Sequence, residues 1–133
     1  FALVRQIEGS LVWAYGLQAL IAALAVITLL ATWRLSQQAA VRGTALIAAT
    51  LLISPYLFDY DLVWQILPIL WLYQLGKKTG WLSGERAILV ITWSLLLYVK
   101  LGLYLLTGKV VLIGAAINLA LLWIAYRRAR HAF

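Results

Sequence analysis

Apolar residues run in long blocks along this chain, and short polar stretches separate them. The first block, 11–33, is followed by a polar break from Arg34 to Arg42. At 1.5 Å per residue that block makes a helix of about 35 Å, enough to cross a bilayer core with some tilt. Blocks at 87–106 and 110–126 predict further helices of about 30 Å and about 26 Å. Between them lie two shorter pieces that meet at Pro55, giving segments near 44–58 and 61–76. The apolar run 44–54 yields only about 16 Å of helix before Pro55, short of the ~30 Å core. A clear loop is expected at 76–86, where Gly, Lys and Ser residues cluster.

The expected fold is therefore all-α, a polytopic transmembrane bundle of about five helices forming one domain over 1–133. One helical hairpin is broken around Pro55 and has a tip lying below the membrane surface. Composition agrees: 65% of the residues are hydrophobic and 11% charged, against about half and a quarter in soluble domains. The net charge of +7 would suggest nucleic acid on a soluble domain. Here the basic residues occupy the breaks between apolar blocks, so they read as membrane topology and nucleic acid is not an expected partner. With no cysteine, disulfides, thiolate metal sites and thiol nucleophiles are excluded. The chain has no Met and opens inside an apolar phrase, Phe1-Ala2-Leu3-Val4. The expectation is a C-terminal portion of a longer protein.

Lys and Arg set an orientation. One side of the alternating segments collects Arg34, Arg42, Lys77, Lys78, Arg86, Arg127, Arg128 and Arg130; the other has Arg5, Lys109 and Lys100 if it snorkels. The basic side is cytoplasmic by the positive-inside rule, so the tip around Pro55 faces outward, toward the periplasm in a bacterial inner membrane. The four basic or His residues at the C-terminus read as a solvated tail.

Candidate chemistry concentrates at Ser54-Pro55-Tyr56-Leu57-Phe58-Asp59-Tyr60-Asp61, which holds two of the chain's four acidic residues. An intramembrane carboxylate is a functional-site hypothesis by default. Asp59-Tyr60-Asp61 spells D-x-D, but the carboxylates would share a side only on extended backbone, and on an α-helix they point about 200° apart. Asp61 has a competing structural role as a cap on the outgoing helix. Asp61 and Gln65 are four apart, so an α-helix would carry both on a face turned into the bundle. Pro68 should kink that helix and free the Trp64 carbonyl. Gln18 and Asn118 read as helix–helix hydrogen-bonding residues, and Ala19 with Ala23 as a small pair permitting close helix approach.

The stretch Ala49-Thr50-Leu51-Leu52-Ile53-Ser54-Pro55-Tyr56-Leu57-Phe58-Asp59-Tyr60-Asp61-Leu62 resembles the Ser/Thr-Pro-aromatic segment of glycosyltransferase family 87. The opening Phe1-Ala2-Leu3-Val4-Arg5 and Trp13-Ala14-Tyr15-Gly16-Leu17-Gln18-Ala19-Leu20 are similar as well. Members of that family with His-His or His-Tyr near this point are common; Tyr60-Asp61 stands here. The resemblance implies a polytopic C-type enzyme that transfers a sugar, mannose foremost, from a polyprenyl-phosphate donor to a glycan or glycolipid at the outer membrane face. No cofactor and no metal site are expected, with metal dependence left open, and the resemblance implies a catalytic base in an outer loop upstream of these residues. Asp59 and Asp61 would shape the sugar or phosphate pocket, Tyr56 and Tyr60 would line it or form an interfacial belt, and Arg5 would hold the lipid phosphate or serve as an interfacial anchor. A transporter or flippase fragment and a non-catalytic membrane scaffold are the competing expectations.

Overall fold

A computed structural model describes residues 11–54, 59–98 and 111–131. They form an all-α structure with five α-helices: α1 (Leu11–Leu35), α2 (Ala39–Ile53), α3 (Ile66–Thr79), α4 (Glu85–Tyr98) and α5 (Val111–His131). A 3-10 segment, Asp59–Gln65, runs directly into α3. The central pair is α2 and α5; α1 packs on both, and α3 packs on α2.

Several boundaries differ from the hydropathy blocks because polar residues extend the helices. The break after α1 shrinks to Ser36-Gln37-Gln38, since Arg42 sits inside the first turn of α2. The loop expected at 76–86 contracts to Gly80–Gly84, because Lys77 and Lys78 complete the last turn of α3. Both loop ends need glycine: Gly80 has φ 90° and Gly84 φ 77°, a region that side chains with a Cβ avoid. Arg127, Arg128, Arg130 and His131 continue α5, where cations complement the helix C-terminus. The terminal basic cluster is thus helix and not a tail.

The hairpin around Pro55 has unequal arms. The incoming arm, α2, has 15 residues, about 22 Å. Its end is set by Ser54, which is extended at ψ 123°, the conformation a following proline imposes. The outgoing arm is longer than its hydropathy suggests. Its 3-10 turns rise about 2.0 Å per residue, so 59–79 reaches about 35 Å. Pro68 lies in the first turn of α3, after the 3-10 segment. There a missing N–H costs little, so the expected mid-helix kink is replaced by the change of helix type.

On α1 and much of α2 small and hydroxylated residues face inward while large apolar ones face out; α3, α4 and α5 bury Leu72, Leu89, Leu121 and Ile124 as well. On α1 the packed stripe is Ala14, Gln18, Ile21, Ala25, Thr28 and Thr32, a repeat of four and three. Ala14 and Thr32 are wholly buried, whereas Val12 is 81% exposed, Trp13 77% and Ile27 63%. Ala19 and Ala23, expected at a helix contact, are exposed. Ala19 lies one residue off this stripe and Ala23 two. On α2 the buried set is Val41, Thr44, Ala45, Ala48, Ala49 and Leu52. Thr28, Thr32 and Thr50 each donate to the carbonyl four residues back, which satisfies their hydroxyls without water. Close approach also relies on glycine: a Cβ at Gly43 would come within 2.6 Å of the Trp71 ring, and one at Gly76 within 2.6 Å of Trp81.

Among the described residues one helix, α1, is long and apolar enough to cross a membrane; 11% of its most apolar stretch is buried. Apolar on all sides, such a helix belongs in a core or a bilayer.

Candidate functional site

The two ends of the bundle were built from different residues. At the end where α2 stops, Gln18 Nε2 donates to the carbonyls of Leu52 (3.0 Å) and Ile53 (3.1 Å). Helix termini leave these carbonyls without intrahelical partners, so Gln18 serves as the expected interhelical hydrogen bond and caps α2. Gln18 lies seven residues into α1, so α2 stops about 10 Å below the end of α1.

Asp59, Tyr60 and Asp61 open the 3-10 segment, and Asp61 is half-buried. With about three residues per turn, positions 59 and 61 stand about 120° apart round the axis, and positions 61 and 65 likewise. The extended backbone that a shared D-x-D metal would require is not adopted at 59–61. The common face expected for Asp61 and Gln65 is likewise lost with the α-helical geometry. The α-helix starts only after Gln65, which makes no side-chain cap. Tyr56 and Arg5 lie outside the described residues, as do Lys100 and Lys109.

Gln65 turns inward as expected, and it is fully buried. Neither its Nε2 nor its Oε1 has a hydrogen-bond partner. Asn118, also fully buried, donates to Gly114 O (3.0 Å) in its own helix and leaves Oδ1 without a partner. It does not bridge helices, which corrects the expectation. Thr44 Oγ1 is the third buried oxygen without a partner. Buried amides are ordinarily satisfied, and exceptions call for a reason.

At the opposite end Glu85 and Arg128 form a buried ion pair. Arg128 Nε donates to Glu85 Oε1, and Nη2 to Glu85 Oε2 (2.6 Å) and Gly80 O (2.9 Å); Nη1 donates to Thr79 Oγ1 (2.9 Å). The Leu82 N–H donates to Glu85 Oε2 (3.0 Å), and Glu85 N–H returns a bond to Leu82 O (3.1 Å). The α3–α4 loop is thereby tied to α5. Arg127 Nη1 adds a bond to Ser83 O (3.1 Å). Arg42 closes the α1–α2 corner: Nε donates to Ser36 O (2.6 Å), Nη2 to Trp33 O (2.9 Å), and the guanidinium lies 5.2 Å from the Trp33 ring centre. Reading the sequence missed the Glu85–Arg128 pair. The available signal was an acid opening one helix and an arginine closing another.

A cleft of about 340 Å³ opens between α3 and α4, lined by Ile69, Leu70, Tyr73, Trp81, Val90 and Trp93 among others, with Arg86 its only charged residue. Among the described residues no three His, Asp or Glu side chains gather as metal ligands. Compared with protein-family models, curated proteins and solved structures, the chain matches none. The likeness to glycosyltransferase family 87 therefore stands on the residues quoted above.

Proposed function

We propose that the chain is an integral-membrane, multi-pass part of a glycosyltransferase that uses a polyprenyl-phosphate sugar, mannose foremost. The observation that carries the membrane part is the inside-out distribution of side-chain size on α1 and much of α2; α3, α4 and α5 also bury large residues, Leu72, Leu89, Leu121 and Ile124 among them. Helices in lipid gain nothing by burying Leu or Ile, so they pack through Ala, Gly, Ser and Thr and leave large residues outward. The α1 stripe and the buried Ala and Thr of α2 follow that rule, and Val12, Trp13 and Ile27 supply the outward face. Hydroxyls bonded within their own helix support the same reading. The basic helix ends lie on the cytoplasmic side, α5 ends there, and Asp59–Asp61 faces the periplasm of a bacterial inner membrane.

The transferase part rests on the family resemblance and on the acids beside Pro55. An acceptor hydroxyl would displace the polyprenyl phosphate at the sugar's anomeric carbon, giving its proton to a base outside this chain. Asp59 and Asp61 would hold sugar hydroxyls or shape the phosphate site, with Tyr56, Tyr60 and Arg5 as neighbours. Gln65 supports the idea of a polar recess beneath them, since its amide is buried with hydrogen-bonding capacity unused. A helix that changes type at depth is also what a transporter offers. An acidic first outer loop upstream would favour the transferase, and a repeated half with a matching broken helix the transporter.

In the full-length protein, Asp59→Asn or Asp61→Asn should reduce transfer from a polyprenyl-phosphate sugar by about tenfold or more, the loss of one charge-assisted hydrogen bond. Expression should be unchanged. Wild-type turnover in both variants would remove the pocket assignment. Single cysteines replacing Leu57 and Lys78 should react with an impermeant maleimide from opposite sides of the membrane. Labelling from one side would overturn the orientation.

A further inference from the structure

We propose that the α3–α4 cleft is a binding site for one anionic glycerophospholipid at the cytoplasmic end of the bundle. The inference rests on the membrane reading but not on the transferase reading. The cleft's volume, about 340 Å³, falls within the range of ligand sites, about 300–1,000 Å³. Its walls are apolar and aromatic, with Tyr73 and Trp81 packed at 5.8 Å between ring centres near the loop end. Arg86 is the second residue of α4, next to that loop, and Trp93 lies seven residues further along the helix. The groove thus runs about 10 Å from a cation down an apolar wall.

Arg86 differs from four other arginines at this end, Arg42, Arg127, Arg128 and Arg130. Arg42 binds backbone carbonyls, Arg127 binds Ser83 O, Arg128 is paired with Glu85, and Arg130 lies 6.0 Å from the Tyr126 ring. Arg86 is exposed and makes no hydrogen bond or ion pair among the described residues, yet it lines the cleft. Lys77 adds a second charge close by, 5.8 Å from the Tyr73 ring. A free guanidinium at the mouth of an apolar groove matches a phosphate carried on an acyl chain. Guanidinium holds phosphate in a bidentate geometry, and basic pockets between helices on the cytoplasmic side suit anionic head groups. A free phosphate would leave the Val90–Trp93 wall without an occupant, so the lipid is the occupant that uses both halves.

The test uses full-length protein in its membranes and then in mild detergent. Alkaline carbonate washing comes first: extraction of the protein would overturn the membrane reading itself. Protein that stays is exchanged against phosphatidylglycerol and phosphatidylcholine in equal amounts, and the retained lipid is counted by native mass spectrometry. Wild type should keep one phosphatidylglycerol at least severalfold in preference to phosphatidylcholine. Arg86→Gln should abolish the preference, and Val90→Trp, which fills the groove at an exposed position, should abolish retention. Arg34→Gln, at a basic helix end away from the cleft, should change neither. Equal retention of both lipids by wild type, or an undiminished preference in Arg86→Gln, would overturn the cleft assignment and leave the membrane reading intact.

Discussion

Glu85 is as deeply buried as Gln65 and Arg128 nearly so, yet their surroundings are opposite. The ion pair exchanges two hydrogen bonds and reaches Thr79, Gly80 and Leu82 besides. Gln65, the seventh residue of the 59–79 helix, has partners for neither amide atom among the described residues. The basic end is therefore a closed polar network that fixes three helix termini. The end below Asp59–Asp61 keeps unused hydrogen-bonding capacity inside an apolar bundle. Burying an amide without partners costs roughly 1–3 kcal/mol, a cost a protein tolerates where the group has another task. The Glu85–Arg128 network thus marks one end of this molecule and the unsatisfied Gln65 amide the other, though Thr44 Oγ1, in the half of α2 nearer the basic end, is also buried without a partner among the described residues.

The largest expected effect breaks the comparison at the basic end. Glu85→Ala or Arg128→Ala leaves one buried charge unpaired and should destabilise the fold by about 3–5 kcal/mol. Replacing both with Leu should restore most of that loss. Denaturant unfolding in detergent reads the difference, and a single-variant loss near zero would show that the pair does not hold the loop to α5. At the other end the effects are smaller and differ in sign. Gln18→Ala removes the cap on α2 and should cost about 1 kcal/mol. Gln65→Leu removes an unsatisfied amide of similar volume and should leave stability unchanged or raise it by about 1 kcal/mol. If Gln65→Leu destabilises as much as Gln18→Ala, the amide has a structural partner and the contrast between the ends fails.

Much of this was legible before any coordinates. The number of helices, the break after Ser54 and the inward turn of Gln65 all follow from local chemistry: apolar run length, a proline, and one polar position among apolar ones. The role of Gln18 followed too, because an amide two turns inside an apolar helix has little besides another helix to bond. What was misplaced involved residues whose meaning depends on distant partners. Glu85 looked like part of a polar loop, and Arg128 like part of a solvated tail, since 43 positions separate them. Ala19 and Ala23 looked like a contact, but the rotation of α1 was set by the Ala14–Thr32 stripe. Pro68 looked like a kink, because the 3-10 segment ahead of it leaves no periodicity in composition.

By itself the sequence determined an all-helical chain with eight of its eleven cations at alternate breaks, since run length, proline and charge act within a few residues. Only the tertiary structure decided which face of each helix is packed, which cations are neutralised and which, like Arg86, stay open. Those outcomes depend on contacts between residues far apart in the chain, and local propensity carries no information about them. Packing selected the small-residue stripes of α1 and α2 because they let backbones approach, and on α1 it left most large apolar side chains facing outward.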